Sequence, residues 1–287
     1  MQTLDVLQKR IKTTSDLLSV VRTMKNLAAV NIRHFERAAT SLEQYAEVVE
    51  QGWSVLFRSG GMVPSGRDRK AVILAVGSDQ GMCGQFNEFA VQAALAAGER
   101  LAADKLDVTF WTAGDRIRSG LEDAGRKSAL NFSIPGTIGG VDSVVGNLVE
   151  HMAEWQRHGT GRFHVVHNAH SGRESYTSLD RCILPLDRKW SEQLARADWP
   201  GPSLPQTYLP GEIMFAGLFE QHLFVSLYGA LSRSMAAENS ARLTAMQAAE
   251  KNIEDMRDEL QGDSRQTRQN AITSELLDIV AGVEAMK

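Results

Sequence analysis

The chain has 287 residues, of which 43% are hydrophobic and 23% are charged, and its formal net charge is -4. This charge argues against a dedicated nucleic-acid binder, because such proteins usually carry a strong basic excess. No apolar run approaches the roughly 18 residues that a membrane-spanning helix needs. Only two cysteines, Cys83 and Cys182, are present, too few for a disulfide framework, which favours a reducing compartment.

Prolines and glycines divide the chain into three parts. All seven prolines lie between Pro64 and Pro210, and no glycine precedes Gly52. Both residue types disfavour helix interiors, so their placement predicts two helical terminal segments around a middle rich in turns. The predicted parts are an amino-terminal helix over residues 1–58, a central domain over 70–205 and a carboxy-terminal helix over 210–287.

The amino-terminal segment carries a seam at alternating steps of three and four residues. A 3.5-residue period sustained over this length is typical of a left-handed coiled coil. A helix of roughly 80 Å, at 1.5 Å per residue, needs a partner along such a seam to be stable in water. The seam consists of Leu4, Leu7, Ile11, Thr14, Leu18, Val21, Lys25, Ala28, Ile32, Phe35, Ala39, Leu42, Ala46, Val49, Trp53 and Leu56.

The central segment alternates apolar strand patterns with helical ones, which predicts a Rossmann-like α/β domain with a largely parallel sheet. The proline-rich run 199–211 is predicted to link this domain to the last helix. Strands are predicted over 71–76, 108–111, 126–134, 163–167 and 176–184, and helices over 85–103, 115–124 and 141–157.

The carboxy-terminal segment supplies the partner helix. Its heptad register covers Met246, Ala249, Ile253, Met256 and Leu260, and a polar run, QGDSRQTRQN, follows over 261–270. One interpretation of this run is a solvated helix face or a short loop. The other is a contact surface made of hydrogen-bonding groups.

An apolar stripe resumes beyond the polar run. The second segment is longer than the first by roughly 20 residues, about 30 Å if helical. If the two pair antiparallel from a common base, the end of the second helix projects alone and its stripe faces water. A bare stripe indicates a binding site, so this tip is predicted to enter another protein. The alternative is that the helix breaks early and folds its end back onto the central domain. The stripe consists of Ile272, Leu276, Ile279 and Val283.

The sequence offers weak support for an enzyme. The glycines of the loop Gly77–Asn87 lack dinucleotide-fingerprint spacing, no phosphate-binding lysine follows, and Asp79 would repel phosphate. Cys83 in this loop is predicted to be a buried structural cysteine rather than a nucleophile. The histidines at 164 and 167 would point to opposite faces of a strand and so cannot bind one metal together, and no paired cysteines complete a zinc site. With His170 they are predicted to be ordinary surface or hydrogen-bonded histidines. We expect no cofactor.

Several segments resemble the gamma subunits of rotary, F-type ATP synthases. Ile11–Arg33 resembles the first helix of that family, and SDQGMCGQFN, Ser78–Asn87, is similar to its SDRGLCGGFN signature. Departures at Gln80, Gln85 and Gly262 point to a divergent or alternative bacterial branch. The remaining matches fall on the last helix, at Leu223–Leu231, Glu238–Asn252 and Thr267–Ala285.

The resemblance implies a non-catalytic rotor shaft that couples ion translocation to ATP synthesis or hydrolysis. It implies a long antiparallel coiled coil inside a catalytic ring of alpha and beta subunits. The α/β domain would stand on the c-subunit rotor ring beside the epsilon subunit. The complex would be peripheral, through this ring, to the cytoplasmic face of a bacterial plasma membrane. No nucleic-acid partner is implied.

The resemblance also implies roles for single residues. The tip residues 272, 276, 279 and 283 would sit in an apolar bearing of the ring. Basic residues Lys9, Arg10, Lys12, Arg22 and Lys25 would suit an acidic lever of the catalytic subunits, or are merely a solvated face. If the two terminal helices are antiparallel, Met24 and Lys25 lie opposite the part of the last helix that contains Arg242. Contacts with the catalytic ring are implied for Met24, Lys25, Arg242, Arg268, Gln269, Thr273 and Glu275.

Two other functions remain open from the residues themselves. A structural coiled-coil adaptor with an α/β head would explain the terminal helices but not the family signatures. A nucleotide-dependent enzyme would use the central sheet, and the absence of phosphate-binding motifs weighs against it.

Overall fold

The computed structural model describes residues 3–63, 69–157, 161–170, 176–203 and 205–284, with side chains as far as residue 281. Two long helices begin and end the described chain, α1 (Leu4–Arg58) and α6 (Gly211–Glu284). The segment between them holds five strands, four α-helices and a 3-10 turn, Ile138–Gly140. The strands are β1 (Lys70–Val76), β2 (Asp107–Ala113), β3 (Ser128–Phe132), β4 (Gly161–His170) and β5 (Tyr176–Leu184), and the helices are α2 (Phe86–Ala103), α3 (Asp115–Asp123), α4 (Val141–Arg157) and α5 (Arg188–Arg196).

The eight predicted central elements are all present, with bounds that differ by a few residues at most. The prediction missed α5, which lies just before the predicted linker. Its start is marked by Asp187, whose Oδ1 accepts a hydrogen bond from the backbone N of Lys189 at 2.9 Å. An aspartate before a helix is a recognised amino-terminal cap, so the signal was in the sequence. The helix is too short for a convincing apolar period.

The five strands form one sheet in the order β3-β2-β1-β4-β5. The first four are parallel, and β5 runs antiparallel to β4. β1 lies at the centre, and six of its seven residues are buried, as expected for a strand covered on both faces. The chain adds β2 and β3 on one side of β1 and then returns to add β4 on the other. The point at which the strand order changes direction therefore lies between β1 and β4.

The described chain divides into two compact units. One comprises residues 1–28 and 242–287, and the other comprises residues 29–241. Each of the two long helices contributes to both units, so neither unit is a continuous stretch of chain. The division at residues 58, 70, 205 and 210 stays a prediction.

The larger unit has a core on each face of the sheet. On one face, Ile73, Ala90 and Ile117 belong to a cluster formed with α2 and α3. On the other face, the cluster includes Phe163 of the sheet and Leu227 of α6. Here α4, α1 and α6 cover the sheet, so parts of the terminal helices are core elements of the α/β unit. Alternation of side chains along each strand produces these two separate cores.

The smaller unit is held by packing between α1 and α6. Leu18 and Val21 form a buried cluster with Met246 and Ile253. Arg22 of α1 contacts Glu254 of α6, whereas Lys25, which is further along α1, contacts the earlier residue Glu250. In the larger unit, Glu43 contacts Arg233, and the later residue Tyr45 contacts the earlier residue Gln221. Within each unit the helices therefore run antiparallel.

The predicted seam of α1 agrees with its burial, because all sixteen positions are buried or half-buried. In α6 the predicted register is wrong at one position. Met256 is 52% exposed, and the half-buried residue of that turn is Arg257. From Ile253 the buried face steps by four to Arg257 and then by three to Leu260. An α-helix has 3.6 residues per turn, so a straight stretch drifts against a 3.5-residue seam.

Two alternatives for the end of the chain are overturned. α6 continues without a break through the polar run and Gly262 to Glu284, so the run is not a loop. The helix does not fold back either, since residues 271–281 are all exposed. The solvated face and the polar contact surface both remain compatible with this geometry.

Candidate contact surface on the terminal helices

The last described turns of α6 carry apolar side chains in water. Ile272, Leu276 and Ile279 are 52%, 58% and 63% exposed, as the unpaired stripe predicts. The side chain of Val283 lies outside the described residues. Sequence reasoning missed Leu277 and Val280, which are 63% and 54% exposed. Both lie beside the stripe, so the tip is apolar over much of its circumference, a pattern of helices that become buried.

Polar side chains precede and interleave with this tip. Arg268, Gln269, Thr273 and Glu275 are all exposed. The hydroxyl of Thr273 donates to the backbone carbonyl of Gln269 at 2.9 Å, so it is used within the helix. The side chains of Arg268, Gln269 and Glu275 extend into solvent and offer a cation, an amide and a carboxylate along two turns.

The two predicted residues of α1 contact α6. Met24 packs against the buried cluster of the smaller unit, as do Ala245 and Ala249 of α6. Lys25 forms an ion pair with Glu250. Lys25 therefore lies level with Glu250, and the placement of Met24 and Lys25 opposite Arg242 stays a prediction. Residue 268 lies 18 positions beyond Glu250, about five helical turns away along α6.

Arg22 shares the same acidic partners. Its Nε lies 2.9 Å from Glu250 Oε1, and its Nη2 lies 2.5 Å from Glu254 Oε1. Hydrogen bonds from Lys25 and Arg22 lower the pKa of Glu250, and the bonds to Glu250 and Glu254 raise that of Arg22. The predicted basic face is thus partly neutralised inside the chain. Among its members, Lys9 and Lys12 are exposed.

Arg242 differs from the other predicted contact residues. It is only 9% exposed, whereas Arg268 is an exposed residue. A guanidinium so deeply buried contacts other groups of the protein. The predicted surface therefore consists of an exposed part on the last turns of α6 and a part that is already engaged in packing.

Comparisons with known proteins agree over the whole chain. The family model described as ATP synthase matches residues 3–286. The ATP synthase gamma chain of Erythrobacter litoralis is 28% identical over 300 residues, covering all of both chains. That of Paracoccus denitrificans is 27% identical over 297 residues, again covering all of both.

The chain belongs to the gamma-chain family of F-type ATP synthases. A chain in the solved Euglena gracilis mitochondrial ATP synthase, described as OSCP/F1/c-ring in rotational state 3, has the same fold. The TM-score is 0.71 at 16% identity, covering 99% of this chain and 94% of that one. As a gamma chain, this protein is a non-catalytic subunit that serves as the central rotor shaft.

The sheet of this gamma chain shows why the family signature is not a nucleotide site. In open α/β sheets, ligands bind at the carboxyl ends of the strands where the strand order reverses. Here that place, beside β1 and β4, is filled by Cys83, Phe86, Tyr176 and Ala237 of α6. Asn168 of β4 adds a hydrogen bond from its Nδ2 to the backbone carbonyl of Phe86 at 2.8 Å.

The signature loop of the gamma chain is held by its own polar groups. Asp79 accepts hydrogen bonds from the backbone N of Asp115 at 3.0 Å and from Ser133 Oγ at 2.7 Å. Asn87 Oδ1 accepts one from the backbone N of Ser78 at 3.0 Å. Cys83 is 1% exposed, as predicted for a structural cysteine. These groups are satisfied by hydrogen bonds within the loop and with Asp115 and Ser133 beyond it, which gives the signature a structural role.

The histidines of β4 lie on opposite faces of the sheet. His164 Nδ1 lies 2.8 Å from Asp180 Oδ1, and His167 is buried on the face toward α6. Among the described residues, no group of three or more His, Cys, Asp or Glu side chains is arranged to hold a metal ion. Burial and the charges of Arg181 and Arg233 lower the pKa of His167 to about 4.

None of the described helices combines the length and the apolar character that crossing a membrane would require.

Proposed function

We propose that the shaft acts by turning inside a catalytic ring and presenting each ring subunit with a different face at each angle. Ion translocation would drive the turning during synthesis, and ATP hydrolysis would drive it in reverse. The observation that supports this is the exposed end of α6, in which apolar and polar side chains occupy different positions around one helix. A conformational change needs a contact that differs between states, and an asymmetric shaft supplies one.

The shaft itself is proposed to be a left-handed antiparallel coiled coil of α1 and α6. The 3.5-residue seam of α1 and its burial support this arrangement. The packing of Leu18 and Val21 against Met246 and Ile253 supports it from the α6 side. Ion pairs such as that of Lys25 with Glu250 flank this packing, as charged residues flank coiled-coil seams.

The proposed contacts with the ring fall into two classes. Arg268, Gln269 and Glu275 would bind directly, because they are exposed. Thr273 would do so through its carbon atoms or after releasing its bond to Gln269. The second class lies further from the tip and comprises Met24, Lys25 and Arg242. These side chains already take part in packing or ion pairing within the chain.

The tip is proposed to turn in an apolar bearing. Ile272, Leu276 and Ile279 are each more than half exposed, and Val283 continues their spacing. Burying such side chains against a partner is favourable by about 1.5–3 kcal/mol each at full burial. Non-directional apolar contact also suits a turning shaft, because it has no fixed hydrogen-bond geometry to break at each angle.

The proposed partners are alpha and beta subunits around the helices, and epsilon and the c-subunit rotor ring at the α/β head. The family membership and the likeness to a chain in an OSCP/F1/c-ring structure support this assignment. We place the complex at the cytoplasmic face of a bacterial plasma membrane, to which this chain is peripheral through the rotor ring. The bacterial origin of the gamma-chain relatives supports this location.

The partner assignment is tested by purifying the tagged full chain from its native cells. Recovery of alpha and beta subunits with ATPase activity, together with epsilon and the c subunit, is the expected result. Recovery of the chain with unrelated proteins would contradict the assignment and favour the adaptor.

The contact assignment is tested with Arg268→Ala and Gln269→Ala combined. ATP-driven ion pumping should fall more than the yield of assembled complex, because the polar contacts are lost while the coil is untouched. Arg265→Ala with Gln266→Ala, an exposed pair of the same residue types one turn earlier on α6, is the matched control. Pumping unchanged from the unmodified complex would eliminate these two residues as coupling contacts.

A further inference from the structure

Three ionisable side chains share one face of the sheet edge. Cys182 of β5 lies directly opposite His164 of β4 in the strand register. Asp180 is two residues away and so faces the same side. Its Oδ1 lies 2.8 Å from His164 Nδ1, and its other oxygen pairs with Arg100. The thiol thus neighbours an imidazole whose orientation is fixed by a carboxylate.

The thiol is accessible, although the imidazole is not. Cys182 is an exposed residue, and its Sγ donates to the backbone carbonyl of Leu184 at 3.0 Å. His164 is 9% exposed, and its Nε2 has no hydrogen-bond partner among the described residues. The ring can therefore influence the thiol without itself being solvated.

A large cleft opens beside this group. It has a volume of about 1180 Å³ and is lined by both Cys182 and His164. Arg162 and Arg188 also line it, but each is paired with a carboxylate, Arg162 with Asp104 and Arg188 with Glu192. A small organic molecule fits a cleft of this size.

We propose that Cys182 is a modification site that exchanges with a small anionic disulfide, forming a mixed disulfide in this cleft. The Cys182 thiolate attacks one sulfur of the disulfide. The new Sγ–S bond forms as the old S–S bond breaks, and the second half leaves as a thiolate with the electron pair. The cysteine sulfur is oxidised and the leaving half is reduced, so no further oxidant is needed. This inference is independent of the rotor role.

The charge of His164 supports the site. Burial lowers the pKa of this ring, but the hydrogen bond to Asp180 and the nearby Cys182 raise it to about 9. The ring is therefore a cation at neutral pH. A cation beside the thiol attracts an anionic reagent to it. Cys83 has no comparable access, since it is 1% exposed.

The test uses the full chain and 5,5′-dithiobis(2-nitrobenzoate), an anionic disulfide whose released thiolate absorbs visible light. The reference is Thr177→Cys with Cys182→Ser, which places an exposed thiol on the opposite face of β5. We expect Cys182 to react about tenfold faster than the reference and His164→Gln to lose this advantage. Peptide mass spectrometry should place the adduct on residue 182. Equal rates for the unmodified and reference chains would overturn the proposal.

A second measurement covers the case in which His164→Gln fails to fold. The rate with the anionic disulfide is divided by the rate with neutral 2-hydroxyethyl disulfide, in the unmodified chain and in the reference. A larger ratio at Cys182 supports the cationic site. The same ratio in both chains refutes it.

Discussion

Arg22 and Glu250 are 228 positions apart in the sequence, yet Nε of the arginine lies 2.9 Å from Oε1 of the glutamate. Glu250 also binds Lys25, so one carboxylate joins two cations of α1 to α6. The ion pair joins the first helix to the last beside the apolar cluster that includes Val21 and Met246. These ion pairs also neutralise part of the basic face of α1 that was predicted to contact the catalytic subunits.

Glu250→Gln should make the stability of the helix pair less dependent on salt and acid. Because its pKa is lowered in the folded chain, Glu250 stabilises the fold above its unfolded pKa of about 4.5. This contribution is lost as the pH falls through its lower folded pKa. We expect the melting temperature of the unmodified chain to fall with added salt, and less so in the variant. Glu259→Gln, at an exposed position of α6, is the control. The same salt slope in all three chains would show that these ion pairs contribute nothing measurable.

His164 should make the fold less stable in alkali. Its pKa is about 9 in the folded chain against 6.5 when unfolded, so its contribution is complete below pH 6.5. That contribution is lost as the pH rises through 9. The two values correspond to on the order of 3 kcal/mol of unfolding free energy. Urea titrations at pH 6 and pH 10 should show the loss, and His164→Gln should show a smaller one. An equal loss in both chains would assign it to other groups.

His167 should make the fold less stable in acid. Its pKa of about 4 lies below the unfolded value of 6.5, so the unfolded chain takes up a proton first. The free energy of unfolding should therefore decrease as the pH falls from 6.5 to 4. Below that window His167 should cause no further change. Urea midpoints at several values in this window measure the effect. His167→Gln should flatten the curve there, whereas His164→Gln should not. A curve unchanged by His167→Gln contradicts the prediction.

Two leucines of α6 should separate stability from coupling. Leu227 is 0% exposed in the core of the larger unit, so Leu227→Ala should cost about 2–5 kcal/mol of unfolding free energy. Leu276 is 58% exposed, so Leu276→Ala should change that free energy by about 0.5 kcal/mol or less. In the assembled complex, Leu276→Ala should instead impair ATP-driven pumping. Normal pumping, even after Ile272 and Ile279 are also replaced, would contradict the bearing.

Features that depend on local periodicity were predictable. The positions of Leu18 and Phe35 on a buried seam follow from spacing alone, and both are buried. The strand β1 follows from a continuous apolar run, and the exposed tip follows from the unequal lengths of the two terminal helices. The seam and the strand needed only the repeat that each segment carries within itself, and the tip needed only a comparison of two segment lengths.

Features that depend on register between distant segments were not predictable. The spacing of the sequence cannot show that Glu250 meets Arg22, or that Asp180 fixes the ring of His164. It also missed the drift that exposes Met256, because a slip of one residue accumulates only along a long packed helix. Such contacts arise when strands and helices assemble.

The sequence by itself therefore determined the helical ends, the α/β middle and the family, since apolar period and signature residues are local. Only the tertiary structure decided that Ala237 of α6 fills the edge of the sheet where a ligand would bind in related topologies. It alone also brought Cys182 opposite His164. Both facts depend on which surfaces of separate elements meet, and this is fixed by packing over the whole unit.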